Sequence, residues 1–90
     1  MVASREYVIW IKYMKQIIVL LKKAELDLSR DRVAAIELIT VKELGRDEIR
    51  FAYYKKEDKG KLRLIMRPLD VTYEELTELI NKAREMNIMY

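Results

Sequence analysis

The chain has 90 residues, 51% hydrophobic and 37% charged, with a net charge of +3, and that length and balance fit one compact domain, 1–90, around a single core. It contains no cysteine and no histidine, which excludes a disulfide framework, a thiolate nucleophile and cysteine-based metal sites, and removes both the usual general base and the commonest zinc ligand. The expected class is a non-enzymatic protein with no metal and no cofactor, cytoplasmic by default because nothing in it calls for an oxidising compartment.

Arg5 to Lys12 (REYVIWIK) is dense in β-branched and aromatic residues, with Tyr7, Ile9 and Ile11 on one side and Val8 and Trp10 on the other, which predicts a strand buried on both faces. A single long helix from Ser4 to Leu26 competes with it, because Tyr7, Ile11, Met14, Ile18 and Leu21 also fall at helical spacing. The apolar run through Leu21 is no membrane span or signal peptide on this reading: Lys12, Lys15 and Gln16 interrupt it and no small-residue cleavage site follows. Met14 to Leu26 (MKQIIVLLKKAEL) is predicted to be a helix, with Met14, Ile17, Ile18, Leu21 and Ala24 inward and Lys15, Lys22, Lys23 and Glu25 outward. Tyr7, Trp10 and Tyr13 are expected to supply core rather than a stacking platform.

Asp27 to Arg32 (DLSRDR) reads as a surface connection in which Ser29 is a helix-cap candidate, and Asp27 and Asp31 lack the ligand count and the glycine of a calcium loop. Val33 to Leu44 (VAAIELITVKEL) is ambiguous. As a strand it turns into the next at Gly45-Arg46-Asp47, and as a helix it ends with Gly45 at the C′ position; the β-branched residues favour the strand. Glu48 to Lys55, a charged five-residue turn at Lys56 to Gly60, and Lys61 to Arg67 form a hairpin that Pro68 terminates. Thr72 with Glu75 is a capping box, so a helix begins at Tyr73 with Leu76, Leu79, Ile80 and Ala83 inward. Glu74 and Glu75 at its start and Lys82 and Arg84 near its end suit the helix dipole, and Asn87 to Tyr90 (NIMY) is expected to be a short final strand. The fold class expected is α+β, a mixed or antiparallel sheet of four to five strands packed against two helices. The sparse glycine and proline among many Glu, Lys, Arg and Ile residues give a thermophile-like composition.

The strongest functional signal is the stretch from Arg46 to Arg67, whose eight basic and four acidic residues give +4 while the other 68 residues sum to −1. Period-two alternation is expected to send Ile49, Phe51, Tyr53, Leu62, Leu64 and Met66 to one face and Arg50, Tyr54, Lys56, Lys61, Arg63 and Arg67 to the other. The basic face suits nucleic acid, with phosphate contacts from its cations and base stacking by Tyr54. Nucleic acid is the leading reading; the alternative is a protein-interaction module whose basic face pairs with an acidic protein surface, or a homodimer through exposed edges. A solvated face kept charged against edge pairing is the bland alternative.

The run EIRFAYYKKEDKGKLRLIMRPLDVTYEEL, strand, turn, strand, proline and capped helix, resembles the opening of ubiquitin-like interaction domains of the Phox and Bem type. In that family a basic residue on the first strand pairs with an acidic loop of a partner, and Arg50, ahead of Phe51, occupies the matching place. The family's acidic loop is missing, and its later strands and second helix have counterparts only as a circular permutation, with strand 5–12, helix 14–26 and strand 34–43. Val33 to Ala83, a three-stranded meander with a following helix, looks like the Whirly and p15-coactivator type of single-strand DNA-binding proteins, which use a curved basic sheet with aromatics and usually pair as dimers.

Overall fold

The structure, a computed structural model, describes the backbone of residues 5–11 and 14–90 and the side chains of residues 17–90. Five strands follow one another as an antiparallel meander, β1 (Arg5–Ile11), β2 (Met14–Asp27), β3 (Arg32–Val41), β4 (Arg46–Lys56) and β5 (Leu62–Leu64), each beside its neighbour in sequence. A single α-helix among the described residues, α1 (Tyr73–Glu85), lies across β2 and β3. The class is therefore α+β as expected, with the sheet wholly antiparallel and one helix in place of two.

The second expected helix is the 14-residue strand β2, which pairs with β1 through Leu20 and with β3 from Ile18 onward. Residues 17–21 (IIVLL) are an unbroken apolar run although only Ile18 and Leu20 in it are buried, which hides the alternation of a strand. A bulge between Leu20 and Lys22 adds to the disguise. Before it, Ile18 and Leu20 pack with Ile39 and Val41; after it, Ala24 and Leu26 face α1. The buried positions 18, 20, 24 and 26 thus contain a four-residue step that imitates a helical repeat. Over residues 5–11 the strand reading is the observed one and the long helix is not; Lys12 and the side chains of Tyr7, Trp10, Tyr13, Met14 and Lys15 lie outside the described residues.

For Val33 to Leu44 the strand reading is also the observed one, with β3 ending at Val41. Gly45 closes the turn to β4 with φ 63° while its N–H donates to the Val41 carbonyl at 2.9 Å, a left-handed conformation that glycine adopts without a Cβ penalty.

The β4–β5 hairpin differs from expectation in register and length. Glu57 donates its N–H to the Lys61 carbonyl at 2.7 Å around a loop of three residues, Asp58–Gly60. An odd loop makes cross-strand partners share parity, so Tyr54 faces Leu64, Lys55 faces Arg63 and Lys56 faces Leu62. Leu62 and Leu64 therefore join the face of Tyr54, and Arg63 goes to the other. β5 stops at Leu64, well before Pro68, and Leu69 and Val71 of the segment that follows pack into the cluster under α1.

α1 starts with the anticipated capping box: the Thr72 N–H donates to Glu75 Oε1 at 2.8 Å and the Glu75 N–H to Thr72 Oγ1 at 3.1 Å. It ends in a Schellman motif with Asn87 left-handed at φ 58°, Asn87 N–H to Arg84 O at 3.0 Å and Ile88 N–H to Ala83 O at 2.9 Å. The expected final strand is thus the closure of the helix, and Ile88 turns into the core beside Ala83. Leu79 and Ala83 pack on Ala24, Leu26, Ala34 and Ile36, whose two alanines let the helix approach the sheet. Lys22 Nζ donates to the Met86 carbonyl at 3.3 Å, a cation on the negative end of the helix.

The opposite face of the sheet carries no described helix, yet Val33, Ala35, Glu37, Ile39 and Val41 along β3 are at most 3% exposed. The sheet closes this face in part with its own side chains, Leu62 and Leu64 packing against Val33, Ala35, Ala52 and Tyr54. Because α1 is the only cover described over β2 and β3 on its side, Leu79→Ala is expected to cost about 2–5 kcal/mol and Thr72→Ala about 1 kcal/mol, measured by urea unfolding followed by circular dichroism.

Candidate interaction site

After Arg32 at its start, β3 (VAAIELITV over 33–41) carries one ionisable side chain, Glu37, and it is fully buried. A carboxylate in that position requires counter-charge and hydrogen bonds. The sheet register supplies both, since Lys23 on β2 and Arg50 on β4 are the cross-strand neighbours of Glu37 on either side. Arg50 donates to Oε1 from Nε at 2.9 Å and from Nη2 at 2.5 Å. Lys23 Nζ lies 3.5 Å from Oε2, and the Tyr54 hydroxyl, four residues further along β4, donates to the same oxygen. The Lys23 ammonium also sits 4.2 Å from the centre of the Tyr54 ring, a cation–π contact that holds the ring over the network.

This geometry divides the six residues expected to form one basic face. Arg50 and Tyr54 do come together, around Glu37. Lys56 lies farther along the same face and pairs with Asp27 at 3.0 Å, which explains one of the two aspartates of the 27–32 connection. Arg63, sent to the other face, has Nε 3.3 Å from Glu57. Lys61 is exposed at the loop, and Arg67 is exposed with its guanidinium 5.1 Å from the Tyr53 ring centre. Lys23 and Glu37 were not among the expected site residues. The signal for Glu37 was present: a lone carboxylate inside a strand of apolar residues has to be matched on both neighbours.

The second feature is the outer edge of β4. β5 pairs with Tyr54, Lys55 and Lys56, and the last backbone bond across the hairpin runs from Ile65 N–H to Tyr53 O at 2.8 Å. From Arg46 to Ala52 this edge meets no strand among the described residues. The direction of the known bonds fixes which groups point outward. Tyr53 O and Glu57 N–H face β5, while Lys56 N–H faces Asp31 on the β3 side, so the outward residues are the odd ones, Asp47, Ile49 and Phe51.

Ile49 and Phe51 share the apolar face expected of them, and they are 44% and 52% exposed because α1 covers β2 and β3 and stops short of β4. Beside them a cleft of about 600 Å³ is lined by Phe51 and Tyr53 of β4 and by Ile65, Met66 and Arg67, and it reaches Ile39, which the register places on the other face of the sheet. No helix among the described residues is long and apolar enough to cross a membrane.

Compared with known proteins, the chain matches no protein-family model, no curated protein and no solved structure. Its chemistry has to be read from its own geometry. Glu37→Gln takes away the carboxylate that Lys23 and Arg50 share, and a loss of about 3–5 kcal/mol is expected. Tyr54→Phe removes one hydrogen bond to a charged acceptor and should cost about 1.5–3 kcal/mol; the ranking is checked by denaturant midpoints of the two variants.

Proposed function

We propose that this chain is a non-enzymatic protein-interaction module that takes its partner as an added strand on the outer edge of β4. The observation that carries the reading is the open edge from Arg46 to Ala52, with the backbone groups of Asp47, Ile49 and Phe51 directed outward and the Ile49 and Phe51 side chains exposed beside a cleft. Strand addition draws affinity from main-chain hydrogen bonds and specificity from the pockets met by alternate side chains. Proteins normally shorten, cover or bend such an edge. Here the hairpin covers only one end of it.

A nucleic-acid reading retains support from Lys61, Arg63 and Arg67, all exposed on and after the hairpin. Arg50, Tyr54 and Lys56 are engaged with Glu37 and Asp27, and Glu57 lies against Arg63, which lowers the charge the hairpin presents. Steep loss of binding to single-stranded DNA or RNA with added salt is its signature.

The strand-addition reading is tested with extended peptides selected for binding by display and followed by amide exchange. Bound peptide is expected to slow exchange at Asp47, Ile49 and Phe51 while leaving Glu48 and Arg50, which already face β3, unchanged. Binding that protects α1 and leaves the odd β4 amides exchanging freely would remove it.

A further inference from the structure

We infer that the strand added to β4 is β4 of a second copy of this chain, in an antiparallel pair whose two-fold axis passes beside Ile49. This identification of the occupant rests on the reading of β4 as a strand acceptor and adds what the edge itself specifies. A two-fold axis normal to an antiparallel sheet sets one residue opposite itself, so the possible registers are few.

The charges of RDEIRFA, residues 46–52, discriminate among them. With Ile49 at the centre, Glu48 of each copy lies opposite Arg50 of the other, Asp47 opposite Phe51 and Arg46 opposite Ala52. Centring on Glu48 sets Glu48 opposite itself and Arg46 opposite Arg50; centring on Arg50 sets Arg50 opposite itself. Like charges directly opposite destabilise a pair, and opposite charges stabilise it. Centring on Phe51 requires Glu48 to face Tyr54, where β5 already sits. Centring on Asp47 leaves an overlap of 46–48 only, since β4 begins at Arg46.

The Ile49 register is also the one that uses the outward groups fully. Ile49 faces its own copy with N–H and C=O outward, and Asp47 and Phe51 do the same with each other, so all three exposed odd residues fall at hydrogen-bonded positions. Glu48 and Arg50 then meet at the intervening positions, where side chains stand closest. Arg50 keeps its bond to Glu37, and Glu48, which already holds Arg46 at 2.8 Å, brings a second carboxylate to it. On the helix-bearing face, Phe51 and Ile49 of both copies form one apolar stripe across the junction. The open window, 46–52, has Ile49 as its midpoint.

The test uses the full chain in analytical ultracentrifugation. Wild type is expected to associate reversibly to a dimer. Ile49→Lys and Ile49→Glu, each placing like charges opposite one another, are expected to weaken association by about tenfold or more when alone. Mixed in equal amounts they are expected to recover it as a heterodimer, because position 49 of one copy faces position 49 of the other. Leu44→Lys, on the adjacent exposed turn, is the control that leaves association unchanged. Unchanged circular dichroism of each variant separates lost association from lost folding. A wild type that stays monomeric to millimolar concentration overturns the second copy as occupant, whatever the peptide experiment finds for the edge. A dimer that Ile49→Lys leaves intact, or variants that fail to recover on mixing, overturns this register.

Discussion

A buried carboxylate sets the terms for most of this structure. Glu37 sits at the middle of the central strand with no solvent to screen it, and an ionised carboxylate there is tolerated only when cations and donors meet it at hydrogen-bond distance. Lys23, Arg50 and Tyr54 do so from the strands on either side. A slip of β4 by one residue would set Ile49 or Phe51 opposite Glu37 and move Arg50 to the other face, whereas a slip of β2 brings Lys22 or Ala24 into the place of Lys23. The network therefore fixes the register of β4 on β3 most strictly, on the face that α1 does not cover.

That requirement changes what the basic sequence means. The surplus between Arg46 and Arg67 looks like charge offered to a partner, yet part of it answers carboxylates within the fold. Arg50 serves Glu37, Lys56 serves Asp27 and Arg63 lies against Glu57. A count of charges along one hairpin omits carboxylates on strands elsewhere in sequence, and a sheet brings those within a few ångströms.

What could be read from the chain follows the range of the interactions involved. The capping box at Thr72 and Glu75, the helix after it, the turn at Gly45 and the strand character of β3 rest on contacts within a few residues, and all were legible. β2 was misread because the bulge between Leu20 and Lys22, a product of pairing with β3, moves its buried positions from one face of the sheet to the other. The face of β5 was legible after all: the expected five-residue turn and the observed three-residue loop are both odd, and either places Leu62 and Leu64 on the face of Tyr54; only the two-residue shift in where the loop begins, with Lys59 and Gly60 left-handed, was not. At the candidate site, Arg50 and Tyr54 share a face as the alternation implied, and both donate to Glu37, a residue on another strand that the hairpin sequence does not contain. The exposure of Ile49 and Phe51 was illegible, because it depends on where a helix encoded after them comes to rest.

On the proposed reading, β4 divides its roles between its two alternations. Its even residues, Arg50 and Tyr54 above all, are tied to Glu37 and hydrogen-bond toward β3, so they hold the sheet together. Its odd residues, Asp47, Ile49 and Phe51, turn their backbone groups to the open edge and contribute little to the core. Period two keeps the sets apart. Substitutions at Ile49 and Phe51 can then change the edge with little effect on the core, whereas Arg50, tied to Glu37 and opposite Glu48 of the second copy in the proposed pair, would report on both folding and association.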